Sequence, residues 1–295
     1  MAIFLGKHLA SRRPQKLHNR NMVERILLAT DGSEYARAPE ALAEYLAYRL
    51  EANLCALFVK DSRAMRQLEV LDFGALTVPI ATYREELERA LTRAGEAALA
   101  RLAQSAQVAG VRFEPKLLSG IPYEVIAKEA RAFDLLVLGR AGEGSGHEPT
   151  GIGSNAGRLV RTAEVPVMVS PLAYTLPERV LVGYDGSKLS LRALHVAADL
   201  AVGLELPAVV ASMDDDLEAA DRLASEGAEY LVNRGISVQT NASKGDPAAR
   251  LSELQEASDI LTLGSFGRGT VREFLLGSTT EYLLRHALGP VLLVR

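Results

Sequence analysis

The chain has no tryptophan, a single cysteine (Cys55), and five histidines scattered without metal-ligand spacing (His8, His18, His147, His195, His286). One thiol cannot close an intramolecular disulfide or build a thiolate cluster, and this usage suits a reducing cytoplasm. No apolar run reaches the ~18 residues that a bilayer span needs. Acidic residues are missing from the first 23 positions, which carry Lys7, Arg12, Arg13, Lys16 and Arg20. "AIFL" is too short for the apolar core of a signal peptide, so residues 1–22 read as a basic, disordered tail. The remainder holds 28 basic against 37 acidic side chains, and an acidic body is not that of a general nucleic-acid binder. Also absent are the GxxxxGK[ST] phosphate loop, a dinucleotide GxGxxG after the first strand, and any Ser–His–Asp or Cys–His order that would support a nucleophile.

What the sequence does contain is a repeat. "RILLATDGS" (Arg25–Ser33) returns as "RVLVGYDGS" (Arg179–Ser187), and "FDLLVLG" (Phe133–Gly139) as "SDILTLG" (Ser258–Gly264). "GSNAGRLVRTAEVPVMV" (Gly153–Val169) returns as "GSTTEYLLRHALGPVLLV" (Gly277–Val294). The order is the same in both copies, and the period is far longer than a solenoid unit, so each copy is expected to be a complete domain. The boundaries fall at 23–172 and 173–295, joined by "SPLAYTLPE" (Ser170–Glu178), whose two prolines suit a short, stiff connection. The first copy carries an extra segment around Ser62–Ile80.

Within each copy, strands and helices alternate. Arg25–Ala29, Leu54–Val59, Leu135–Leu138 and Val165–Val169 are short Val/Ile/Leu-rich runs that read as buried strands. Ala36–Leu50 places Ala38, Ala41, Leu42, Tyr45, Leu46 and Leu50 on one helical face. Tyr83–Ala106 has a strong helix composition, and Ile121–Ala132 opens with a proline tolerated in a first turn. This alternation predicts an α/β fold of βαβ units, with a parallel sheet and helices on both faces.

The chemistry-bearing residues cluster after strands. In the second copy, Gly264-Ser265-Phe266-Gly267 is followed by nine residues and then Gly277-Ser278-Thr279, where a helical pattern begins. Glycines allow a sharp turn and close approach of a ligand. Gly-Ser-Thr at a helix start presents N–H donors and the positive end of the helix dipole, an arrangement that favours phosphate. Asp185 follows Gly183-Tyr184 at the end of a strand, where open α/β sheets bind ligands. It can meet a ribose hydroxyl or a metal carried by phosphates. In the first copy the corresponding residues are Ala29-Thr30-Asp31, Gly139-Arg140-Ala141-Gly142 and Gly153-Ser154-Asn155, with ten residues rather than nine in the intervening loop and Asn155 in place of a hydroxyl.

Gly-x-x-Gly, nine residues, then Gly-Ser/Thr, with an Asp after the first strand, resembles the ATP-binding pattern of the universal stress protein family. The resemblance runs through both copies and omits only the basic head. It implies two tandem Rossmann-like (adenine nucleotide alpha hydrolase-like) domains, each a five-stranded parallel sheet ordered 3-2-1-4-5. It places Gly139, Gly142, Gly264 and Gly267 by the ribose and α-phosphate. The outer phosphates fall to Gly153, Ser154, Asn155, Gly277, Ser278 and Thr279. Asp31 and Asp185 lie near base and ribose, and the adenine is read by backbone at Val59 and at about Ser212. It further implies ATP, with ADP or AMP as alternatives, and Mg carried by the phosphates. The last strands, Val165–Val169 and Val291–Val294, become candidate edges for an internal pseudo-dimer, with a homodimer of whole chains as a further possibility.

Each signal also has a bland reading. "DGS" after a strand is a good turn and helix cap without any ligand, and a lone GxxG is often structural. Arg140 and Arg268 can pair with phosphate or face water. Cys55 reads as a small buried hydrophobe. Order and repetition favour a nucleotide site, and the resemblance implies a nucleotide-dependent stress-response sensor or regulator; the alternatives are a slow ATPase or phosphotransferase, for which no residue stands out as positioning a nucleophile, and a structural partner protein without ligand.

Overall fold

The computed structural model describes residues 23–63, 77–142, 151–264 and 277–295. The first half runs β1 (Arg25–Thr30), α1 (Arg37–Arg49), β2 (Asn53–Asp61), α2 (Thr77–Ala109), β3 (Arg112–Gly120), α3 (Pro122–Ala130), β4 (Leu135–Gly139), α4 (Ser154–Thr162) and β5 (Val167–Ser170). The second half repeats the order with β6 (Arg179–Gly183), α5 (Lys188–Leu204), β7 (Ala208–Met213), α6 (Leu217–Val232), β8 (Val238–Ser243), α7 (Pro247–Leu254), β9 (Asp259–Gly264), α8 (Ser278–His286) and β10 (Val291–Val294). The extra segment of the first copy lies largely outside the described residues; its end, from Thr77, belongs to α2.

The strands form one ten-stranded sheet in the order β3-β2-β1-β4-β5-β10-β9-β6-β7-β8. Each half is therefore a 3-2-1-4-5 sheet of parallel strands, as the α/β reading anticipates. The halves meet where β5 and β10 pair antiparallel, with Val169 opposite Val291, Met168 opposite Leu292 and Val167 opposite Leu293. Both strands are buried along their whole length. Pairing them removes two bare apolar edges from water.

The core is continuous across this seam. One apolar cluster joins Leu42, Leu46 and Leu54 of the first half to Ala193, Ile260 and Leu292 of the second. Another, on the opposite face, joins Leu27, Leu136 and Leu159 to Leu181, Leu261 and Leu283. Cys55 is buried in this second cluster, and desolvation pushes its thiol up to about 11. It is a packing group, inert as a thiolate.

Two strands, β3 and β8, lie outside the runs that hydrophobicity alone marks as strands. They are the outermost strands, half-exposed, with the polar sequences RFEPKLLSG and VQTNAS. An edge strand has one neighbour and one wet side, so it loses the apolar run that marks a central parallel strand. No helix among the described residues is long and apolar enough to cross a membrane.

Candidate functional site: two clefts at the strand ends

In a 3-2-1-4-5 sheet the strand order reverses between the parallel strands 1 and 4, and the crossovers leave a crevice at their carboxyl ends. Each half has a cleft there. The first, about 340 Å³, is walled by Ala29, Thr30 and Asp31 at the end of β1, Phe58 and Val59 from β2, Gly139 to Gly142 at the end of β4, and Gly153, Ser154 and Asn155 at the start of α4. The second, about 400 Å³, is walled by Gly183, Tyr184 and Asp185, by Gly264, and by Gly277, Ser278 and Thr279 at the start of α8. All the first-copy site residues named from sequence thus come together. In the second copy, Ser265, Gly267 and Arg268 lie outside the described residues, as does His147 of the first loop.

Ser212 is the exception. Its side chain is fully buried and its hydroxyl donates to Tyr184 O at 2.7 Å. Strand register explains the displacement: Ala211 sits opposite Gly183 on β6, as Leu57 sits opposite Ala29 on β1. Two residues further along, Val59 lines the first cleft and Met213 lines the second. Met213 is therefore the counterpart of Val59, one residue beyond the sequence assignment, because side chains alternate between sheet faces.

The "DGS" turns do structural work whatever binds beside them. Asp31 Oδ1 accepts from Ser33 N–H (3.0 Å), and Asp185 Oδ1 accepts from Ser187 N–H (2.9 Å). The intervening Gly32 and Gly186 have φ of +73° and +72°, a conformation that non-glycine residues seldom adopt. The loop glycines also answer to packing. A Cβ on Gly142 would stand 2.5 Å from Asp31 Oδ2, and one on Gly264 2.6 Å from the backbone of Leu189.

Side-chain caps are unevenly used, and in the first half α1 and α3 also start without one. In the second half α5, α6 and α7 are capped by Ser187, Asp216 and Asp246, each side chain accepting a backbone N–H of its helix's first turn. α8 begins instead at Gly277 (φ −62°, ψ 148°), and α4 begins at Gly153 (φ −60°, ψ 151°), neither with a side-chain cap. The first intrahelical bonds run from Gly157 N–H to Gly153 O and from Glu281 N–H to Gly277 O. The preceding amides have no intrahelical acceptor, and the residues that carry them line the clefts. Such a terminus attracts an anion through both its donors and its dipole.

Sequence reasoning passed over several wall residues. Asp61 and Arg63 stand at the first cleft, with Arg63 Nη2 donating to Asp61 Oδ2 at 2.6 Å. The hydrogen bonds and charge of Arg63 hold the Asp61 carboxyl below its usual range against the desolvation that opposes them. The available signal was parity: Asp61 follows Val59 by two on the same strand and shares its face. Arg140 lines the cleft as named, but its guanidinium reaches the other half, where Nη1 donates to Arg285 O (2.8 Å). His195 and His286 stack on Tyr230 and Tyr282, away from both clefts. Among the described residues no group of three or more His, Cys, Asp or Glu could hold a metal ion.

Comparison with known proteins bears on the family and the fold. A universal stress protein of Synechocystis sp. is 26% identical over 288 residues, spanning 92% of this chain and 100% of that relative. One from Mycobacterium tuberculosis is 30% identical over 204 residues, 61% of this chain and 68% of that protein. The solved structure of an Archaeoglobus fulgidus universal stress protein, 23% identical, superposes over 92% of this chain and 98% of its own with a TM-score of 0.68, which supports the fold. The sequence profile of the universal stress protein family matches residues 22–171 and again 177–295, so the chain belongs to that family and carries its domain twice.

Proposed function

We propose that each half binds one adenine nucleotide, with ATP as the principal ligand, and that occupancy makes the protein a nucleotide-dependent regulator of a stress response in the cytoplasm. The observation that carries this reading is the repeated open helix start. Gly153 and Gly277 place uncapped amides at the mouth of a cleft at the switch point of each half-sheet. The clefts are of a size suited to a small ligand.

In this reading the amides of Ser154, Asn155 and Ala156, and of Ser278, Thr279 and Thr280, hold the outer phosphates. The apolar walls, Phe58, Val59 and Ile126 in one cleft and Met213 and Leu251 in the other, flank the base. Asp31 and Asp185 approach the ribose. Mg²⁺ enters on the phosphates and offsets part of their charge. The fit rests on donors without acid: each phosphate end is lined by glycine, hydroxyl and amide groups, and carboxylates there would repel the ligand. The reading assigns binding, with shape or partner contacts as the output, since no side chain marks itself as positioning an attacking water.

Calorimetric titration of the full chain with ATP, ADP and AMP, with and without Mg²⁺, tests it. Saturable binding approaching two nucleotides per chain is expected. The absence of binding at millimolar nucleotide would remove the proposal.

A further inference from the structure

Arg140 stands at a junction between the halves. Its backbone carbonyl accepts from Gly153 N–H (2.8 Å), the residue that opens α4, and its own N–H donates to Ser170 O (2.9 Å) at the end of β5. Its side chain then leaves the first half. Nη1 donates to Arg285 O in the last turn of α8, the helix whose first turn lines the second cleft. Arg140 lines both the first cleft and a small crevice at the seam beside Leu284 and Gly289. Its Nε is buried and donates to nothing among the described residues. Burial also lowers its pKa from the usual guanidinium value. It is a half-buried cation with an unused donor, at the wall of the first cleft.

A counterpart exists on the other side. Arg295, at the end of β10, donates to Arg161 O and Ala163 O at the end of α4. Each of the two cleft helices therefore has its carboxyl end held by an arginine from the opposite half. The two clamps are unequal. Arg295 follows the last strand and lines neither cleft, and the sequence position matching Arg140 in the second copy is Ser265, which carries no charge.

We propose that Arg140 is a positioning residue that couples the two nucleotide sites, an inference that rests on the nucleotide reading above. With the first cleft empty, its guanidinium holds the carboxyl end of α8. Phosphate in the first cleft offers the same guanidinium a charge-assisted bond, stronger than one to a neutral carbonyl. Drawing it away removes a cation from the negative end of α8 and weakens anion binding at the positive end, an effect of about two- to fivefold in affinity. By linkage the penalty is reciprocal: nucleotide in the second cleft disfavours nucleotide in the first.

The test uses the full chain and Mg–ATP. In Ser154→Asp the first cleft is closed to phosphate, and in Ser278→Asp the second. The second site of Ser154→Asp is expected to bind about two- to fivefold tighter than the second site of the parent with its first cleft filled. Arg140→Met abolishes that difference, and Arg140→Lys restores part of it. A lost contact alone would not move the companion readout, amide exchange of Leu284–His286 in Ser278→Asp. There, filling the first cleft speeds exchange when Arg140 is present and leaves it unchanged in Arg140→Met. Two sites that fill independently in the parent, with α8 protection indifferent to ATP, would overturn the coupling and leave the nucleotide reading standing. Binding at neither site would overturn both.

Discussion

The two halves share a topology but stabilise the ground around their clefts by different means. Behind the first cleft lies buried charge: Thr30 Oγ1 donates to Glu40 Oε1 (2.8 Å), and Arg101 reaches the same carboxylate at 2.9 Å. One turn along α1, Glu44 is also buried and accepts from Ser105 Oγ (2.8 Å). In the second half the corresponding positions on α5 are Leu194 and Ala198, both in an apolar cluster, and Tyr184 replaces Thr30, its hydroxyl donating to Glu226 (2.9 Å). At the base of the sheet the contrast reverses. Asp259 is 1% exposed and paired with Arg179 through two short contacts. Asp259 also accepts the Glu256 N–H (2.8 Å), whereas its counterpart Asp134 accepts the backbone N–H groups of Glu24 and Arg25. The interior has diverged while the Asx turns and the bare helix starts have kept nearly the same angles. What both halves keep is the geometry of the clefts.

The largest expected effect separates the two aspartates. Arg179→Met leaves Asp259 buried without its cation and should cost about 3–5 kcal/mol in denaturant unfolding. Arg25→Met, whose guanidinium lies over the Phe133 ring while Asp134 keeps its backbone donors, should cost less than about 1 kcal/mol. Equal losses would show that the contrast carries no energy. Next, Arg101→Met removes the shorter of two arginine contacts to the buried Glu40 carboxylate, leaving Arg37 at 3.6 Å, and should cost about 1–3 kcal/mol. The double change Glu40→Leu with Arg101→Met, which copies Leu194, should recover most of that loss.

A third pair of substitutions separates ligand binding from stability. Ser154 and Ser278 are exposed in first helical turns. A carboxylate there suits the helix dipole, so Ser154→Asp and Ser278→Asp should keep or raise the Tm. Each should also weaken ATP binding at its own site by more than about tenfold, since like charge meets the phosphates. A fall in Tm with unchanged binding would mean the helix starts serve packing alone.

The smallest effect concerns Glu44. Burial raises its carboxyl above the usual value, with the nearby Glu40 adding to the rise and Ser105 and Arg101 opposing it. The fold therefore favours the protonated form. That contribution is fully present below the ordinary glutamate value of about 4.3 and is lost as pH rises through the elevated one. Glu44→Gln mimics the protonated state, so its Tm should exceed the parent's near about pH 8 and converge with it near about pH 4. A constant difference across that range would contradict the assignment.

Much of this was legible in the residues. Central strands announced themselves as apolar runs, and repetition of "DGS" and Gly-Ser located both clefts. The edge strands β3 and β8 did not, because half-wet strands need no apolar run and Pro115 argues locally against one. The cleft-lining residue at the end of β7 is Met213 rather than the Ser212 read from sequence, since a hydrophobicity pattern does not fix strand register to a single residue. Nor could sequence show where Arg140 points. Its partner is 145 positions away, brought near only because β5 and β10 pair.

Calorimetry of Mg–ATP binding to the parent and to Ser154→Asp and Ser278→Asp tests the account most directly. It predicts two nucleotides per parent chain and one in each variant, with the fold intact. A parent that binds none at millimolar ATP, or variants that still bind two, would contradict it.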